Sequence, residues 1–200
     1  MARSLPIDNL IFPELNLADA VAYLTRYPHG CIEQTTSGAF PQLYLADIFD
    51  LTFEKKQEIE NNIKAAIQRL NTFQVTDGGL SYWPGERQAD AWGTNYAGHF
   101  ILEAKQKGYA IPITFISNWL RYQKNEARQW RNSNTSHNSG LTQAYRLYTL
   151  ALAGQPELAS MNRLRESKNL SNDAKWRLAA AYALAGKKKV AEELTRTANI

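Results

Sequence analysis

The stretch RYPHGCIEQTTS, Arg26 to Ser37, carries the only cysteine in 200 residues, with a glycine directly before it and a glutamine three positions after it. Gly30 frees the backbone at that point, and the residues beyond it read as the start of a helix. Side chains three apart at a helix start come together, and the oriented N–H groups there favour the thiolate, the strongly nucleophilic form of cysteine. Attack of the Cys31 sulfur on the side-chain carboxamide carbon of Gln34, with loss of ammonia, makes an internal thioester. The pair requires the amide. A glutamate at position 34 would present a carboxylate that repels the thiolate and offers only hydroxide as leaving group, and asparagine would be one carbon too short. A lone cysteine in a helical protein is ordinarily a small buried hydrophobe, and a lone glutamine a solvated helix residue, so the reading rests on the combination.

Working outward, helical spacing recurs, and no segment alternates as a half-buried strand for more than a few residues. Thr52, with Glu54 behind it, predicts an N-cap. Ile59, Ile63, Ile67 and Leu70 then mark one buried stripe that ends near Phe73. VTDGGLSYWPGE, Val75 to Glu86, is punctuated as a turn with Tyr82 and Trp83 docked beside it. A helix over about 88–107 should stop at Gly108, and Pro112 should be the first residue of the next, with Ile116, Trp119 and Leu120 facing inward. After the polar loop RNSNTSHNSG, Arg131 to Gly140, helices are expected over 141–153, 157–165, from Ser171 to Gly186, and over 188–195. The expectation is an all-α chain of eight or nine helices, successive ones antiparallel, as in stacked or ring-like helix pairs. The chain ends on RTANI with no closing element, which suggests a piece of something larger.

Composition narrows the function. Hydrophobic residues make up 44% of the chain, enough for a substantial core, and 23 Lys+Arg against 19 Asp+Glu leave a net charge of +4 with no concentrated basic face. Nucleic acid is therefore not indicated as a partner. No apolar run approaches the roughly 20 residues that span a bilayer, and MARSLPIDNL lacks an apolar signal core, so no membrane contact is expected of this domain. One cysteine excludes an internal disulfide, and three scattered histidines beside it show no metal-ligand spacing.

GCIEQ, Gly30 to Gln34, resembles the Gly-Cys-x-Glu-Gln thioester motif of alpha-2-macroglobulins and complement components. The context YPHGCIEQTTSGAFPQLYL is most similar to their bacterial branch. DGGLSYWPG and AWGTNYAGHFILEAKQKGY sit where the thioester-containing domain of bacterial macroglobulins has its glycine-aromatic turn and the following helix. The likeness extends to about Arg165, whereas AAAYALAGKKKVAEEL beyond it is compatible but generic.

The resemblance implies an α/α toroid of antiparallel helical hairpins, incomplete as a ring, with residues 1–200 forming a single thioester-containing domain of a larger macroglobulin-like protein. It implies a single-use covalent trap, not an enzyme, and no cofactor or metal. In such proteins a protease cuts a bait region elsewhere in the parent, and the exposed thioester acylates a lysine amine of the attacker. The partners implied are target proteases and the other domains of the parent. The place implied is the periplasm or cell envelope, with a lipid anchor on the parent as one arrangement. Gln34 would supply the acyl carbon and Cys31 would be the leaving group. Gly30 and Glu33 match the motif, the latter in a role the sequence leaves open. Tyr27 resembles the tyrosine that packs over the bond in bacterial members. In some animal relatives a histidine far beyond the cysteine relays the acyl group to hydroxyls, and His137, 106 positions after Cys31, is the candidate for that relay.

Two other readings compete. α/α toroids also host terpene cyclases and glycoside hydrolases, and Trp83, Trp92, Trp119 and Trp130 would suit an aromatic pocket, but Asp77, Glu86 and Asp90 form no recognised acid pair. LAAAYALAGKKKVAEEL, Leu178 to Leu194, resembles one hairpin of a helical-repeat binding scaffold. His99 reads as a hydrogen-bonded packing residue near Trp92 and Tyr96, and His29 as exposed rim.

Overall fold

A computed structural model describes residue 21 and residues 24–132 and 139–198. Its elements are α1 (Ile32–Ala39), a short 3-10 turn (Pro41–Leu43), α2 (Leu45–Ile48), α3 (Phe53–Asn71), α4 (Ala91–Gln106), α5 (Ile113–Gln129), α6 (Ser139–Leu152), α7 (Leu158–Arg165), α8 (Asn172–Leu184) and α9 (Lys188–Arg196). Two isolated antiparallel bridges, Gln74 with Leu80 and Ser81 with Ala89, are the only β pairing among the described residues. The fold is an all-helical α/α toroid, as the resemblance implied.

The apolar stripes divide the interior into two clusters. In the first, Ile59, Ile63, Ala66, Ile67 and Leu70 of α3 meet Ile32 of α1 and Phe100, Ile101 and Ala104 of α4, with Phe73 and Leu80 closing the turn between them. Trp119 of α5 completes it, 1% exposed, its indole N–H donating to the Thr94 carbonyl at 3.0 Å. It fits because Gly98 has no Cβ, which would overlap the indole. In the second cluster, Leu147 and Leu150 of α6 pack on Leu178 and Ala181 of α8, with Met161 and Leu164 of α7 and Leu194 of α9 around them. The small side chains of α8 let it approach α6 and α9 closely.

A buried polar seam joins the clusters. Gln123 Nε2 donates to Asn95 Oδ1 at 2.6 Å, Asn95 Nδ2 donates to the Thr142 carbonyl, and Arg146 donates to both Gln123 Oε1 and Gln143 Oε1. Burial disfavours the charged form of Arg146 and lowers its proton affinity, and these amide oxygens are what its guanidinium has in exchange for water.

The starts of α4 and α5 differ from the expected ones. α4 begins at Ala91 and not near 88, because residues before it still belong to the turn: the Asp90 N–H donates to the Leu80 carbonyl at 2.8 Å while its carboxylate caps the Gly93 N–H at 2.6 Å. Pro112 is the N-cap of α5 and the helix starts one residue later. Of the three side chains expected to face inward, Trp119 is fully buried, whereas Ile116 and Leu120 are half-buried. Thr52 and Ser171 cap α3 and α8 as expected, accepting the N–H groups of Lys55 and Ala174.

Candidate functional site

Cys31 is the N-cap of α1, in extended backbone with φ −72° and ψ 176°, and Gly30 before it sits at φ +90°. Gln34 is the third residue of the helix, and the two form a reciprocal capping box. The Cys31 sulfur faces the Gln34 backbone N–H, and Gln34 Oε1 accepts the Cys31 N–H at 3.0 Å. The carboxamide is thereby folded back over Gly30. A Cβ on residue 30 would overlap Oε1 and lie 2.9 Å from Cδ, so glycine is required here for space as well as for its positive φ. The thiol is 4% exposed, while Gln34 faces solvent.

Two residues from distant parts of the chain hold this helix start. Arg69, near the end of α3, donates from its guanidinium to the Gly30 carbonyl at 2.7 Å and from Nε to Thr35 Oγ1 at 3.2 Å, with its cation over the Phe73 ring. Tyr82, from the turn, accepts the Ile32 N–H on its carbonyl at 3.1 Å. Its hydroxyl donates to Glu33 Oε2 at 3.3 Å. The neighbouring Cys31 side chain and then the Glu33 carboxylate push the phenol up to about 12. Sequence reasoning placed Tyr82 in an aromatic turn and did not reach either contact. Glu33 and Tyr82 are 49 positions apart and Arg69 is 39 from Gly30, so no local periodicity reports them.

The chain entering the motif is laced down as well. Gln42 Nε2 donates to the Arg26 carbonyl at 3.0 Å and to the Gly38 carbonyl at 2.7 Å, and Asn62 Nδ2 donates to the Thr25 carbonyl at 3.3 Å. Tyr27 is 64% exposed at the rim, and His29 is exposed beside it. His137 lies outside the described residues.

His99 is a packing residue. Its Nδ1 is 3.0 Å from the Tyr145 hydroxyl and Nε2 is 3.4 Å from Glu103, inside a box of Phe40, Tyr145 and Tyr148 rings, and burial lowers its proton affinity. It borders an open cavity of about 790 Å³ shared with Tyr96, Tyr148, Trp176 and Arg177. Asp173 is the one acidic residue lining that cavity. The acids weighed from sequence have structural partners: Asp77 accepts the Gly79 N–H at 2.8 Å, Glu86 accepts the Trp83 N–H at 3.1 Å, and Asp90 caps α4. Neither place offers the acid pair a glycosidase needs.

What the fold and site define together is a helical ring whose distinctive chemistry is one thiol and one carboxamide brought together at a helix start. The model of the A-macroglobulin TED domain matches residues 7–144, and the chain belongs to that family. Alpha-2-macroglobulin of Escherichia coli strain K12 is 31% identical over 109 residues, covering 52% of this chain and 7% of that protein. A crystal structure of Salmonella alpha-2-macroglobulin reacted with methylamine is similar at 28% identity and a TM-score of 0.78, covering 94% of this chain and 13% of the other. Trypsin-activated alpha-2-macroglobulin from E. coli gives 25% identity and a TM-score of 0.75 over 86% of this chain and 13% of the other. The chain thus spans a small fraction of the length of the relatives it matches.

Proposed function

We propose that this domain carries an internal Cys31–Gln34 thioester and serves as the covalent arm of a macroglobulin-type protease trap. The observation that carries the reading is the capping box, which holds the carboxamide of Gln34 against Gly30 on the same helix turn as the Cys31 sulfur. Closure forms the Sγ–Cδ bond, and the amide nitrogen leaves as ammonia, taking the thiol proton. The carbonyl oxygen keeps the Cys31 N–H as donor, at a helix N-terminus that favours the negative charge developing on that oxygen when an amine attacks. A thioester lacks the resonance that protects an amide, so the bond stores reactivity that has to be kept from water until a protease arrives.

When the parent is cut and rearranges, a lysine amine of the protease takes the acyl group and Cys31 is released. The reaction is used once per molecule. The thioester is the sense in which the Salmonella relative's reaction with methylamine and the E. coli relative's activation by trypsin bear on this chain. Tyr27, exposed at the rim, is in place to be pressed over the bond by a neighbouring domain of the parent. His137 is the candidate for an acyl relay to hydroxyls, and the bacterial periplasm or envelope is where such a trap meets foreign proteases.

The test is on the full-length parent incubated with a protease. An SDS-resistant adduct should form, and it should vanish when Cys31 or Gln34 is replaced by alanine. An adduct that persists in both variants would falsify the assignment.

A further inference from the structure

We propose that the cavity between α4, α6 and α8 is a binding site for a small aromatic carboxylate, its acid group held by the Arg177 guanidinium and its ring among Tyr96, Tyr148 and Trp176. The inference is independent of the thioester and gives the domain a second site.

The space is of ligand size. Its volume of about 790 Å³ falls within the range of small-molecule pockets. Three helices supply its walls: Tyr96 and His99 from α4, Tyr145 and Tyr148 from α6, and Trp176 and Arg177 from α8. Ring faces therefore dominate the lining, which suits a planar apolar body. Trp176 is 43% exposed, and Tyr96 and Tyr148 are half-buried, so aromatic surface stands open to whatever enters.

Most of the polar groups in the wall are already engaged. His99 Nδ1 and the Tyr145 hydroxyl lie 3.0 Å apart and serve each other, while His99 Nε2 faces Glu103 at 3.4 Å. Burial lowers the proton affinity of His99, so it brings no charge at neutral pH. Arg177 is different. Its guanidinium carbon lies 4.0 Å from the centroid of the Tyr145 ring and 6.0 Å from that of Trp92, contacts that hold the cation at the wall without using its N–H groups as an ion pair would. None of the ion pairs among the described residues includes Arg177. Asp173, one turn before it on α8 and exposed, therefore sets no negative charge against it at contact distance. A planar fork of donors without a carboxylate, beside open ring faces, is complementary to a carboxylate carried on an aromatic ring.

Equilibrium dialysis of the full chain against radiolabelled indole-3-acetate tests the site. Wild type should bind one equivalent saturably, with a Kd on the order of 0.1–1 mM, ordinary for a ligand of that size. Unlabelled indole-3-acetamide, which keeps the shape and lacks the charge, should compete about tenfold more weakly, the effect of losing a hydrogen bond between charged groups. Tryptamine, with an ammonium in place of the acid, should not compete. Arg177→Gln should weaken binding by the same factor of about ten, and Trp176→Ala several-fold through lost stacking.

The absence of saturable binding overturns the site. Competition by the amide or by tryptamine as strong as that of the acid overturns the carboxylate assignment, and because these comparisons use wild type, they decide the matter even where a variant does not fold. Undiminished binding by a folded Arg177→Gln protein overturns the role of Arg177.

Discussion

At the start of α3 the Thr52 hydroxyl accepts the Lys55 N–H, and at the start of α8 Ser171 does the same for Ala174. At the start of α1 the capping position is held by Cys31, and the residue three further on is Gln34, whose side chain reaches back to the Cys31 N–H. All three places satisfy N–H groups that a helix cannot pair internally. Only at α1, among the described residues, is the box reciprocal, and only there do its two side chains form a nucleophile–acyl pair. In the proposed thioester, an ordinary helix-capping device becomes a reactive site by two residue choices. A serine with glutamate in the same box would stabilise the helix and do nothing more. The neighbouring glycine completes the difference, because the folded-back carboxamide of Gln34 occupies the space that a Cβ on residue 30 would need.

The comparison is broken most severely by Gly30→Ala. The new methyl would overlap the Gln34 carboxamide, so methylamine incorporation, followed by mass, should be lost completely. The φ of +90° adds about 1–2 kcal/mol of strain, to be read from denaturant unfolding. Cys31→Ser separates the two uses of the box: incorporation should again be lost, yet unfolding stability should stay within about 1 kcal/mol of wild type, since serine is a good cap. Arg69→Met removes the clamp on the Gly30 carbonyl and on Thr35. Spontaneous decay of the thioester, timed by thiol appearance in buffer, should quicken several-fold, with a stability cost of about 1.5 kcal/mol. The smallest effect belongs to the other side of the comparison: Thr52→Ala should cost about 1 kcal/mol and leave methylamine reactivity unchanged. A change in reactivity there would mean that the two helix starts are not independent.

What could be read from the chain follows the range of the interactions involved. The stripe of Ile59, Ile63, Ile67 and Leu70, the caps at Thr52 and Ser171, and the turn beginning at Asp77 are local, and each stands where its spacing put it. Cys31 and Gln34 are also local, three apart on one helix turn, which is why their pairing was derivable before any fold was known. Tyr82, Arg69, Gln42 and Asn62 act on the motif across 16 to 49 positions, through hydrogen bonds that depend on how α1, α3 and the turn pack. Nothing in their immediate neighbours reports that. The start of α4 departs from its spacing for a related reason, since Asp90 is held by Leu80 in the turn as well as capping its own helix. The aromatic pocket suggested by the tryptophans is not formed by them jointly: Trp119 fills the core against Gly98, while Trp92 stacks on Tyr145.

The account stands on the fate of one carboxamide, and mass analysis of the peptide that contains residues 31–34 reads it directly after methylamine treatment. The thioester predicts that position 34 carries a methylamide, or a glutamate where water arrived first, with the thiol of Cys31 set free. An unmodified glutamine beside a thiol that was free before treatment would contradict it.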